Sequence, residues 1–157
     1  MQSFIKNTFC LVFVISVTVT GNYVGEIFRR SGIVPYVIRN APKEQCVVNY
    51  TKSGIVVRIG ELLRNNDTAE EPVVQFNYRD GRFYTIFLID PDVPSPEAPV
   101  LREYKHWILG NVQGGRSYPL VVYQGPAPPS VSPHRYIVLV YQQPGSLCFD
   151  EPRITNQ

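Results

Sequence analysis

Two carboxylates and two imidazoles are the side chains of this sequence best placed to do chemistry. Asp90 and Asp92 stand two residues apart in the segment DPDVPSP, directly after the apolar run 83–89. His106 and His134 are the only histidines, and each opens a strand-like run, 105–109 and 134–141. Proline fixes its own φ and restrains the residue before it, so the acidic loop holds its polar groups with little freedom. Two acids and two imidazoles at strand ends point to one small polar pocket.

Three chemistries are open to such a set. Imidazole N–H groups donate to phosphate oxygens while carboxylates orient the rings, which suits a small anion or a zwitterionic head such as phosphoethanolamine. Two His and two Asp also suit zinc or a harder ion, although the tight spacing of many metalloenzymes is absent. The third reading is structural: these groups hydrogen-bond one another and pin loops at the end of a sheet. Catalysis finds little support, because the chain has no G-x-S-x-G elbow, no glycine-rich phosphate loop and no HExxH. No enzyme activity and no cofactor are expected.

The elements that must position these residues read mostly as strands. Residues 22–41 have helical spacing of Val24, Ile27, Phe28 and Ser31, with Gly32 to end the helix and Pro35 to discourage its continuation. From Cys46 onward, runs 46–50 and 54–59 are rich in valine and isoleucine. Residues 61–71 are polar and read as a loop, with Leu62 and Leu63 packing inward. Residues 73–78 alternate and lead through Arg79-Asp80-Gly81, a hairpin signal, into 83–89. Residues 136–141 are almost continuously apolar, as in a central strand buried on both faces. Proline-rich loops follow the strand at 83–89 and precede the one at 134–141.

The ordered set DPDVPSP, REYKHWILGNVQG, PHRYIVLVYQQ and CFDEPR resembles the phosphatidylethanolamine-binding protein family, over about residues 33–157. The resemblance implies a mostly β fold, a β-sheet domain with peripheral helices and long proline-rich loops. It implies that Asp90, Asp92, Pro94, His106, Pro128, His134 and Tyr136 line a small surface pocket for phosphate or phosphoethanolamine-like heads. Three departures stand out. Leu101 replaces a usual tyrosine, Tyr104 a tryptophan, and Ala127 the glycine before the paired prolines. Family members also continue past the point where this chain ends, with a further strand and helix, so that C-terminal region is expected to be missing. Loss of that cover is expected to expose strands such as 136–141. Relatives that inhibit kinase pathways or proteases make a protein–protein regulator, such as a serine protease inhibitor, the alternative function.

Composition sets the compartment. With 157 residues and a 44% hydrophobic content, one domain with a real core is expected. A net charge of +2, without a lysine or arginine run, gives no footprint for nucleic acid. Residues 1–21 read as a secretory signal peptide, with Lys6 before the apolar run 8–20 and small residues near a cleavage point after Gly21. That run is short for a membrane span, which takes about 20 residues. Export leaves a single domain over 22–157, a monomer in the extracellular space. The sequons at Asn49 and Asn66 are glycosylation candidates, Asn66 the more surface-like. Cys46 and Cys148 would remain after cleavage, either bridged in an oxidising compartment or buried as thiols.

Overall fold

The structure is a computed structural model that describes residues 9–13, 22–129 and 132–149. Runs of valine, isoleucine and aromatic residues set the strands, because branched and planar side chains fit a pleated, half-buried surface. β1 (Phe9–Phe13), β4 (Glu61–Arg64), β6 (Tyr84–Asp90), β7 (Tyr104–Gln113), β8 (Arg116–Val121) and β9 (His134–Gln142) form one sheet. Its order is β4-β1-β9-β6-β7-β8, antiparallel throughout except for the parallel pair β1 and β9. β2 (Val47–Tyr50), β3 (Ile55–Val56) and β5 (Val73–Gln75) form a smaller antiparallel sheet, β3-β2-β5.

β9 shows how the layers stack. Tyr136 and Val138 point into a core shared with Val48 and Tyr50 of the small sheet and with Ile86 and Leu88 of β6. Ile137 and Leu139, on the opposite face, meet Val24 and Phe28 of the helix α1 (Asn22–Arg30). The continuous apolar run is therefore buried on both faces, as its composition predicts. Each fully buried side chain of this size is worth about 1.5–3 kcal/mol.

α1 ends as its sequence requires. Gly32 has φ 65, the Ile33 N–H donates to the Phe28 carbonyl at 2.9 Å and the Gly32 N–H to that of Arg29 at 3.0 Å. This is a Schellman ending, and its usual apolar contact is present, since Phe28 and Ile33 share the second core. It fixes Ser31 over β9, which matters for the site.

Several expectations change. The turn at Arg79-Asp80-Gly81 forms, with the Arg82 N–H donating to the Arg79 carbonyl, but it closes no hairpin. β5 pairs with β2 and β6 with β7 and β9, so the turn carries the chain between sheets. Residues 61–64 are a strand rather than a loop, and its alternation buries Leu63 while leaving Leu62 exposed. The strand expected to be bared by a short C-terminus is covered: Tyr136 to Leu139 are all buried, and only Tyr141 at its far end is open. Among the described residues no disulfide joins Cys46 to Cys148, the first buried beside β2 and the second exposed after β9.

β1 lies inside the stretch read as a signal peptide. Phe9–Phe13 sits between β4 and β9, with Cys10 opposite Leu63 on one side and His134 on the other. Cleavage after Gly21 would take this strand out of the sheet. Residues 1–8 and 14–21, the rest of the expected leader, lie outside the described residues. Of the two sequons, Asn66 is exposed in a 3-10 turn (Asn65–Thr68), whereas Asn49 is half-buried in the middle strand of the small sheet.

Candidate functional site

The site forms where β6 ends and β9 begins. These strands are antiparallel, so Asp90 at the end of one meets His134 at the start of the other. Asp90 accepts from two directions. Its Oδ2 lies 2.7 Å from His134 Nδ1, and its Oδ1 takes the Asp92 backbone N–H at 2.8 Å. The second bond is the side-chain turn that aspartate makes two residues ahead, and it aims the carboxylate without help from elsewhere. Asp90 and His134 are 1% and 0% exposed, so their contact is shielded from water.

His106 reaches the same place through an irregularity. Leu88 pairs with Trp107 but Ile89 with Lys105, so β7 carries a bulge at His106. A bulge breaks the alternation of side chains and re-aims one of them. Both neighbours consequently serve the same face: Trp107 packs edge-on to Tyr123 in the first core, and His106 edge-on to Tyr136 at 5.0 Å. Tyr136 also lies nearly parallel to His134, ring centres 6.4 Å apart, so one phenol ring separates the two imidazoles. Tyr104 closes the other side of His106 at 4.8 Å.

The partners fix the protons. His106 Nδ1 is 2.7 Å from the Gln124 carbonyl, which can only accept, so Nδ1 carries the hydrogen. A carboxylate imposes the same on His134 Nδ1. In His106 Nε2 is then the atom that gains or releases the titrating proton. Burial pushes the His106 imidazole below its ordinary value of 6.5, against smaller opposing pulls from the Gln124 carbonyl and Asp90.

Asp92 goes elsewhere. Its carboxylate takes Arg135 Nε at 2.9 Å, Arg135 Nη2 at 2.6 Å and the Arg135 backbone N–H at 2.8 Å. Arg135 Nη1 donates in turn to the Ser31 carbonyl at the end of α1. Asp92 is 1% exposed, and this bidentate pair ties the acidic loop to the helix on the face of β9 opposite His134. Hydrogen bonding to Asp92 raises the Arg135 guanidinium further above its already high value. Sequence reasoning placed Asp92 with the histidines and missed Arg135. Strand alternation held the signal, since an arginine next to His134 must face the other way and find a carboxylate there.

The proline loops flank this end of the sheet. Pro94 is half-buried in the loop leaving β6, which the Leu101 N–H closes on the Val93 carbonyl at 3.0 Å. Pro128 is buried in the loop entering β9. Ser132 Oγ donates to Glu97 at 2.9 Å and links the two loops. Hydrogen bonds from its own backbone, Ser95 and Ser132 hold the Glu97 carboxyl below its usual range. The structure thus unites Asp90, His106, His134 and Tyr136, places Pro94 and Pro128 in the two loops that flank this end of the sheet, and gives Asp92 to Arg135.

Comparisons with known proteins bear on the family and the fold. The family model for phosphatidylethanolamine-binding protein matches residues 49–157. The candidate odorant-binding protein A5 of Drosophila melanogaster is 32% identical over 83% of this chain and 64% of its own length. A 26 kDa secreted antigen of Toxocara canis is 31% identical over 82% of this chain and 50% of its own. The chain thus spans about half to two thirds of the curated relatives it matches. Among solved structures, a carboxypeptidase Y inhibitor, complexed with its cognate proteinase, superposes with a TM-score of 0.72 at 25% identity, covering 81% of this chain and 74% of that one. Among the described residues no helix is long and apolar enough to cross a membrane.

Proposed function

The chain belongs to the phosphatidylethanolamine-binding protein family, and from that premise we propose that it is a secreted, non-enzymatic binding protein. Its site takes phosphate, phosphoethanolamine-type heads or related small anions. The observation that carries the reading is the pair of imidazoles around Tyr136, each with Nδ1 committed to an oxygen acceptor. An imidazole so held, once it carries a hydrogen at Nε2, is a donor aimed by its fixed partner, which is what an anion requires. Asp90 holds His134 in place and offers negative charge near an ammonium group.

Calorimetric titration with phosphoethanolamine tests it. His106→Ala and His134→Ala should each cost about 1.5–3 kcal/mol of binding, the loss of a hydrogen bond to a charged group. Unchanged affinity in both would leave the residues as loop pins only. Secretion is supported by the charged and apolar start of the chain and by the secreted Toxocara canis relative. Protein recovered from the medium of a secreting cell should begin near Asn22; an intact N-terminus retained in the cell would count against export.

A second reading, regulation of a protease, is favoured by the likeness to the carboxypeptidase Y inhibitor. An inhibition assay on serine carboxypeptidases separates it from headgroup binding.

A further inference from the structure

We propose that a cavity at the end of the large sheet opposite the histidines binds small amphipathic carboxylates, with the apolar tail along β9 and the acid group at Lys43 and Arg79. This goes beyond the headgroup site and does not depend on it. β6 runs from Asp90 at the histidine site to Tyr84 at the cavity, so the two lie about 20 Å apart at ~3.4 Å per residue. The cavity holds about 420 Å³, inside the range of roughly 300–1,000 Å³ typical of small-molecule sites.

Its position follows from β9. Five consecutive residues, 138–142, line it. Neighbours on a strand point to opposite faces, so no single face can present all five. The cavity therefore runs along the edge of β9, on the side where, among the described residues, its register with β1 reaches no further than Ile137. The connector after α1 supplies the facing wall, with Ile38 and Ala41.

Its chemistry has two parts. Phe76, Tyr84, Val138 and Val140 give an apolar and aromatic wall that favours a hydrocarbon chain. Lys43 and Arg79 line the same cavity, both exposed, and among the described residues neither enters an ion pair. The one acidic lining residue among the described residues, Glu44, accepts from Asn77 Nδ2 at 3.2 Å. Two cations against one carboxylate, over an apolar wall, favour an anionic head on an apolar tail. A free ammonium compound would meet the wrong charge, and a bare inorganic anion would leave the wall unfilled.

The full chain should bind decanoate saturably, with one site, in calorimetric titration below the micellar concentration. Decanol should bind about tenfold more weakly, and Lys43→Glu and Arg79→Glu should each lower decanoate affinity about tenfold, the loss of one charge-assisted contact. Gln142→Trp, at an exposed lining position, should block binding while leaving the melting temperature within a few degrees. Saturating phosphoethanolamine should leave decanoate affinity unchanged. The proposal fails if the wild type shows no saturable binding, if phosphoethanolamine displaces decanoate, or if the folded Gln142→Trp and charge variants all bind as the wild type does.

Discussion

The two ends of the large sheet are built on opposite plans. At the Asp90 end, Asp90, Asp92, His106 and His134 are all buried, and each has a named partner at hydrogen-bond distance. Prolines stiffen both flanking loops. At the Tyr84 end the chain leaves a cavity, apolar walls and two exposed cations. The first end resembles a preset polar instrument, in which every group is oriented before a ligand arrives. The second offers space and charge with little fixed geometry. The same strands, β6 and β9, run through both, so the difference comes from loops and from which side chains the strand ends present.

The largest expected effect separates the ends by stability. Arg135→Ala leaves the Asp92 charge buried without its bidentate partner, and should destabilise the protein by about 3–5 kcal/mol. Arg79→Ala, exposed at the other end, should change stability by no more than about 0.5 kcal/mol. Urea unfolding measures both. Similar losses in the two variants would erase the contrast between a locked end and an open one.

A smaller effect separates orientation from contact within the polar end. Asp90→Asn keeps the side-chain oxygen that caps the turn at Asp92 but no longer holds a charged acceptor against His134 Nδ1. Phosphoethanolamine affinity should fall by about 1 kcal/mol, less than for either histidine. A loss as large as that of His134→Ala would make Asp90 a direct ligand contact rather than an aiming group.

How much of this was readable in the sequence depended on whether one strand or several decided the outcome. Asp90 and His134 were legible, because each terminates an apolar run and antiparallel pairing brings such ends together. The site at His106 was legible as a residue but not as geometry. The bulge that turns it toward Tyr136 arises from the pairing of β7 with β6, and no periodicity within β7 records it. The pairing of Asp92 with Arg135 was not legible, because a spacing of two says nothing about which face a loop delivers a carboxylate to. The turn at Gly81 was read correctly as a turn, while its partner strands were not, since sheet membership is a tertiary choice. Likewise Glu61–Arg64 looked like a polar loop because only one of its four residues, Leu63, faces the core. The strand at Phe9–Phe13 carries the same apolar composition as a leader, and composition alone does not separate the two roles.

The account rests most heavily on His106 being neutral in the free protein and charged when an anion is held. Its imidazole titrates below 6.5 because it is buried, so at pH 7 to 8 Nε2 is bare and Nδ1–H faces Gln124. An anion at Nε2 favours the protonated ring, so binding there must take up a proton, and affinity must rise as pH falls from about 8 toward 6. The phosphate group titrates near pH 6 in its own right, so the wild type is compared with His106→Phe, which keeps the ring contact and removes the proton. The decisive measurement is phosphoethanolamine calorimetry at pH 7.5, a pH chosen about one unit above the ordinary imidazole value, in buffers of different ionisation enthalpy. The account predicts net proton uptake by the wild type that is smaller in His106→Phe, with weaker binding in the variant. Equal affinity and equal proton exchange in the two proteins would contradict it.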